Sequence, residues 1–211
     1  MNDNSNNIAV IDLDGTLLTV NSWQYFLRFL IKNALRRNLL QASWLAMLAL
    51  LRKAKIISHS TIKYRYMLAA ERLLNDSDIE TFADDMSRYL NPDVVKLIAD
   101  ERANGSTILL ATAAAGEYAV AISRKANIDN IIATPPAEHG KTYIQTVGNR
   151  KADLVADFAA SRSATVTLIA TDINPKTKTT ADKPLIDRFP YAKVILIEKG
   201  RLQTWREAPT M

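Results

Sequence analysis

The sequence predicts an α/β fold: a mostly parallel sheet flanked by helices, interrupted by an inserted all-helical segment. Two observations predict it. Over the C-terminal half, short apolar runs alternate with helical patterns, as in a sheet with helices on both faces. Between the first apolar run and the second, residues 21–90 keep a helical period with no strand pattern.

The first strand is Ile8-Ala-Val-Ile11, apolar throughout, as suits a strand buried on both faces. It runs into Asp12 and Asp14, which share a face on an extended chain. Gly15 then lets the backbone turn. In open α/β sheets ligands bind at that end of the strands. Two carboxylates so close repel unless a cation or a shared proton intervenes, and a hard cation such as Mg²⁺ is the simplest resolution. One carboxylate can then attack phosphorus while the other protonates the leaving oxygen and later activates water. The alternative is a turn with a helix cap.

In the insert, Trp23, Phe26, Leu27, Leu30 and Ile31 recur at helical spacing. Leu39 to Leu51 is almost continuously apolar and bracketed by Arg36-Arg37 and Arg52-Lys53. It is shorter than the ~20 residues that span a bilayer. It reads as a buried helix of a small bundle, or as an interfacial helix on a membrane. Ser60 is the expected cap of a helix over 61–74, and Asn75-Asp-Ser-Asp78 offers caps for another over 79–89. Pro92 opens a helix over 93–103 that stops at Asn104-Gly105, with Asn91 as the return from insert to core.

Strands are then expected at 107–112, 130–134 and 166–171, with a last one at 193–197 and a short extended piece at 142–147. Helices are expected at 117–126 and 150–160. Thr112 and Asp172 end apolar strands as Asp12 does, and a hydroxyl at Thr112 can bond a phosphoryl oxygen.

Composition sets the limits. The chain has 211 residues, long enough for one large domain or a domain with a small insert. There is no Cys, hence no disulfide or thiol chemistry, which fits a reducing compartment. Met1–Asn7 is polar and lacks the basic and apolar regions of a signal peptide, so a frayed tail is expected. From Ser22 to Arg72 there are ten Lys and Arg against one acid, Glu71. That segment carries +9 of an overall +5, leaving −4 elsewhere, so the insert is the face that attracts anions.

Asp12-Leu-Asp-Gly-Thr16 resembles the first motif of the haloacid dehalogenase-like hydrolases, most of which are Mg²⁺-dependent phosphatases. The resemblance implies a Rossmann-like core over 1–20 and 91–211 and a helical C1 cap over 21–90, as in the phosphoserine-phosphatase-like branch. It implies Asp12 as nucleophile, Asp14 as general acid/base, and a metal held by the Asp12 side chain and the Asp14 carbonyl. Thr112, helped by the amides of Ala113 and Ala114, resembles the phosphate-binding second motif. Lys151 resembles the cation of the third motif, with Lys141 as the alternative. Asp172 resembles the metal-binding acid of the fourth. Where the family usually has a second acid a few residues on, this chain has Lys176. The next acid, Asp182, follows the stretch Asn174–Ala181 and is expected to reach the metal through water. Otherwise Lys176 or Lys178 alters the site.

The expected function is hydrolysis of a phosphomonoester through an aspartyl-phosphate on Asp12, in the cytoplasm. The substrate is a small phosphomonoester or a phospholipid head-group phosphate. Phe26-Leu-Arg-Phe-Leu30, Arg36-Arg37 and the apolar run are similar in pattern to the phosphatidylglycerophosphatase C type, which acts at the membrane. Two other readings are a non-catalytic phosphate- or partner-binding protein, favoured by the altered fourth motif, and a nucleic-acid binder. Against the last, the aromatics of the insert stand at helix-packing spacing. His59 and His139 are isolated and have no assigned role.

Overall fold

β1, Asn7–Ile11, lies inside a six-stranded sheet of order β3-β2-β1-β4-β5-β6. The computed structural model describes residues 6–172 and 182–207. The other strands are β2 (Thr107–Ala115), β3 (Asn130–Thr134), β4 (Thr165–Thr171), β5 (Lys193–Glu198) and β6 (Arg201–Arg206). β1 to β5 run parallel, and β6 returns antiparallel along β5. From Ile8 to Ile11 β1 is apolar at every position because both its faces are covered. Ile8 and Val10 join one core cluster, Ala9 and Ile11 the other, as the two-residue period of a strand requires.

Helices α1 (Ser22–Arg37), α2 (Leu39–Lys53), α3 (His59–Leu73) and α4 (Asp76–Ser87) are inserted between β1 and α5 (Pro92–Ala103). α6 (Gly116–Lys125) follows β2, α7 (Asn149–Ser161) precedes β4, and α8 (Lys183–Arg188) precedes β5. The inserted helices share one continuous apolar cluster with α5, α6 and one sheet face. Residues of α7 and α8 cover the opposite face. Phe26 of α1 stacks on Tyr118 of α6 at 4.6 Å and meets Phe82 of α4 at 5.2 Å, in edge-on geometry. Burying an aromatic of this size contributes roughly 1.5–3 kcal/mol, so this cluster fastens the insert to the core. The chain leaves and re-enters the core side by side, with the Thr19 N–H donating to Tyr89 and the Asn91 N–H to Leu17.

Several expectations need correction. α3 begins earlier than expected, because Ser58 rather than Ser60 caps it by accepting from the Thr61 N–H. Residues 142–147 form no strand. They are pinned to the end of β3 by threonine hydroxyls: Thr134 Oγ1 accepts from the Thr146 N–H, and Thr146 Oγ1 donates to the Ala133 carbonyl. β5 is not the last strand. Lys199 and Gly200, both with positive φ, make the two-residue turn that brings β6 back. α2 is buried only along Ala42, Leu45 and Leu48, and leaves Leu39, Leu40, Trp44, Met47 and Leu50 exposed. Asn174–Ala181, with Lys176 and Lys178, lies outside the described residues.

Candidate active site

The strand order reverses direction around β1. From β1 the chain goes to β2 and β3 on one side, then crosses to β4 on the other. Such a switch point opens a crevice at the C-terminal ends of the strands. Asp12 follows the last residue of β1, and its N–H donates to Ala170 of β4. Thr112 lies in β2 on one flank, and Asp172 directly follows β4 on the other.

Lys151, in the first turn of α7, is 1% exposed, and its Nζ lies 2.7 Å from Asp12 Oδ1 and 2.7 Å from Asp182 Oδ1. The second Asp182 oxygen accepts from Thr171 Oγ1 at 2.6 Å. A buried charge is tolerated when paired and hydrogen-bonded, and all three groups here meet that condition. Burial alone would lower the Lys151 pKa, but Asp12 and Asp182 together hold it above the ordinary lysine value. Burial pushes the Asp12 carboxyl up to about 8 against the pull of Lys151, with Asp182 and Asp14 adding repulsion.

Asp14 turns away from this pair, and its Oδ1 accepts from the Ser22 N–H at 2.7 Å, in the first turn of α1. Burial raises its pKa too, opposed by Ser22 and by the charges of Lys63 and Lys151. Asp172 is more open, and its carboxyl is also raised, by desolvation first and then by Asp182 and Asp14. Gly15 has φ +77°, and a Cβ placed there would stand 2.2 Å from Asp172 Oδ2. The missing side chain is what lets the β4 acid lie against the turn after Asp14.

Mg²⁺ fits this donor set. Among the described residues no three acidic or histidine side chains converge into a cation site on their own. Mg²⁺ does not need them, since it keeps several waters and takes one or two carboxylates plus substrate phosphate oxygens. The donors here are hard oxygens, and Asp12, Asp14 and Asp172 all have pKa values raised by burial, with neighbouring acids adding to the shift at Asp12 and Asp172, which a divalent cation relieves.

Thr112 is buried, and its Oγ1 accepts from the Ala114 N–H at 3.0 Å. Above it, the insert contributes a cation that the sequence reading did not single out. Lys63 of α3 reaches the Ala113 carbonyl at 3.4 Å and Gln145 Oε1 at 2.9 Å, and lies over the Trp23 ring at 5.4 Å. Burial lowers its pKa, and the Asp14 charge opposes that shift.

The sequence profile of the haloacid dehalogenase-like hydrolases matches residues 9–171, spanning β1 to the end of β4. The chain belongs to this family. Solved structures agree in fold with this hydrolase. A protein of unknown function from Bordetella pertussis Tohama I superposes with a TM-score of 0.68 at 17% identity, covering 91% of this chain and 90% of that one. A probable phosphoserine phosphatase from Vibrio cholerae gives 0.61 at 12%, covering 90% of this chain and 56% of that one. A phosphoserine phosphatase solved as a phospho-aspartyl intermediate analogue gives 0.56 at 10%, covering 92% and 94%. No curated protein matches the sequence.

For a haloacid dehalogenase-like hydrolase the placement of the two lysine candidates is unequal. Lys151 touches Asp12, whereas Lys141 is exposed and paired with Glu138. Asp182, expected near a metal, is engaged through both oxygens by Lys151 and Thr171. Among the described residues neither histidine touches the site residues by hydrogen bond; His139 Nε2 bonds Arg72 at 2.7 Å. Lys63 and Gln145 escaped the sequence reading because one lies mid-helix in a basic insert and the other in an irregular segment. Only their convergence reveals them.

Proposed function

We propose that this hydrolase cleaves a phosphomonoester through an aspartyl-phosphate on Asp12. The observation that carries the reading is the buried Asp12–Lys151–Asp182 arrangement at the switch point, with Asp14 held separately by Ser22. Lys151 holds Asp12 in place and favours its ionised form against the larger opposing effect of burial. Asp12 Oδ attacks phosphorus as the ester oxygen leaves in line. Asp14, whose pKa burial raises, is the acid placed to give a proton to that oxygen and then to take one from the water that attacks the aspartyl-phosphate. The Thr112 hydroxyl, the Ala113 amide and Lys151 stabilise the charge on the phosphoryl oxygens. A bound Mg²⁺ would be held by Asp12, Asp14 and Asp172 and would neutralise phosphoryl charge. Asp182 holds Lys151 in place, which explains how the site can do without an acid at position 176. α1 to α4, residues 21–90, act as the cap over the core formed by 1–20 and 91–211.

The test is phosphate release from a panel of small phosphomonoesters and phosphatidylglycerophosphate in detergent, with Mg²⁺ or EDTA. Mg²⁺-dependent release that disappears in Asp12→Asn is the expected result. No release from any member by the folded wild-type protein would favour the non-catalytic, phosphate-binding reading.

A second reading of the substrate, a phospholipid head-group phosphate met at a membrane surface, is favoured by α2. Leu40 is 85% exposed and Leu50 67%, in a helix face with no charge from Leu39 to Leu51. Arg36, Arg52 and Lys53 stand at its ends, while Arg37 is paired with Asp78 at 2.6 Å. Apolar area flanked by cations suits the surface of anionic lipid, which attracts basic residues at about 1 kcal/mol each. Among the described residues no helix is long and apolar enough to cross a membrane. On this reading α2 would bring the enzyme, taken as cytoplasmic, into contact with a membrane surface. The insert aromatics Phe26 and Tyr66 are buried in the core, so neither offers a stacking platform for nucleic acid.

A further inference from the structure

We infer that Lys63 is a specificity-determining residue that binds an anionic group on the alcohol half of the substrate. This rests on the phosphatase reading above. Three observations converge on it.

The first is place. Ser22 donates to Asp14, Trp23 follows Ser22 in α1, and Lys63 lies over the Trp23 ring. On its other side Lys63 reaches the carbonyl of Ala113, the residue after Thr112. The ammonium is therefore placed beside the start of the helix that bonds Asp14 and beside the strand residue that follows Thr112. The alcohol half departs past Asp14 and meets Lys63.

The second is unmatched charge. Lys63 is only 8% exposed, yet its hydrogen-bond partners among the described residues are an amide oxygen and a backbone carbonyl, both neutral. An ammonium has three donors, and these two partners leave one over. Buried charges are normally paired, as Lys151 is in the same site. A bound anion would complete the pairing that the protein leaves undone.

The third is preorganisation. Gln145 precedes Thr146, which is bonded to Thr134 and Ala133 at the end of β3. Tyr64, next to Lys63, donates to the Glu138 carbonyl at 3.0 Å and packs on Tyr143 at 5.9 Å. Lys63 is thus held from both the insert and the core, so little freedom is lost when a ligand is bound.

The experiment compares two esters of like size, 2-phosphoglycolate and 2-hydroxyethyl phosphate, which differ by a carboxylate against a hydroxymethyl group. For wild type, Lys63→Met and Lys63→Arg, kcat/KM is measured with Mg²⁺, and binding of each ester is measured by calorimetry in EDTA. Circular dichroism verifies that each variant is folded. The carboxylate ester should be preferred about tenfold or more by wild type, as suits a charged hydrogen bond made in a buried site. That ratio should fall to about one in Lys63→Met and recover in part in Lys63→Arg. An unchanged ratio, or an equal loss on both esters, overturns the inference and leaves Lys63 as a counter-charge for the carboxylates. If wild type releases no phosphate, the phosphatase reading fails, and the binding ratio still decides the role of Lys63.

Discussion

In the proposed mechanism Asp12 carries the chemistry, and its neighbours set its charge. An acid whose folded-state pKa lies above its unfolded value favours the folded state while protonated. For Asp12 that contribution is complete below about 4 and is lost as pH rises through about 8. In EDTA, the unfolding temperature of wild type should fall across this window more steeply than that of Asp12→Asn. Mg²⁺ should restore stability more at pH 8 than at pH 5, because the cation competes with that proton. A Mg²⁺ effect of equal size at both pH values would contradict this. Lys151→Met leaves Asp12 and Asp182 buried without their cation, and should destabilise by about 3–5 kcal/mol in chemical denaturation. Gly15→Ala meets both a positive φ and the Asp172 carboxylate. It should lower the unfolding free energy by more than the ~1 kcal/mol of an ordinary backbone misfit, and reduce Mg²⁺ affinity in titration. At this scale Asp12, Asp14, Thr112 and Asp172 could be picked out because they stand at or just past the ends of apolar runs in the sequence, although β2 continues beyond Thr112 to Ala115. Lys151 could be picked out through the resemblance to the family's third motif. The role of Asp182 could not, since its partners Lys151 and Thr171 are distant in sequence and meet it only through the fold. Lys63 was hidden for the same reason.

Among the elements, α2 shows most clearly how far periodicity carries. Its apolar run announced a helix, but a helix apolar all round gives no sign of which face is covered. The structure buries Ala42, Leu45 and Leu48 and exposes the rest. If the exposed face rests on lipid, Leu40→Glu with Leu50→Glu should abolish co-sedimentation with vesicles rich in anionic phospholipid. The same changes should alter stability by no more than about 0.5 kcal/mol, as for other exposed positions. Binding that persists in this variant, or dimerisation of wild type without lipid, would assign the face to something else. β6 was missed for a different reason. Its Arg, Gln and Thr residues lack the apolar alternation of a half-buried strand, as befits a charged edge that resists further pairing. The signal that could have found it is Lys199-Gly200 directly after an apolar strand. Residues 142–147 look extended in sequence, yet side-chain hydroxyls rather than a strand partner hold them.

For the molecule as a whole, alternation of apolar runs and helices was enough to read an α/β sheet, because parallel strands buried on both faces leave no polar position to confuse the pattern. Strand order is not written in the residue pattern, and only the family resemblance implied that Asp12, Thr112 and Asp172 lie on adjacent strands; β1 between β2 and β4 brings them to one end of one crevice. The insert is joined to the core through the Phe26–Phe82–Tyr118 cluster, so a change there should reach the site. Tyr118→Ala should destabilise by about 3–5 kcal/mol, by analogy with other large aromatic truncations in cores, and loosen Ser22 from Asp14. Retained thermal stability in that variant would contradict the shared core. The measurement that tests the central claim most directly is rapid-quench mass spectrometry of the protein mixed with a turned-over phosphomonoester and Mg²⁺. An acid-stable, hydroxylamine-labile phosphoryl group on the peptide containing Asp12, absent in Asp12→Asn, is the predicted result. Turnover with no phosphoryl group on that peptide at any quench time, or the same label in Asp12→Asn, would contradict it.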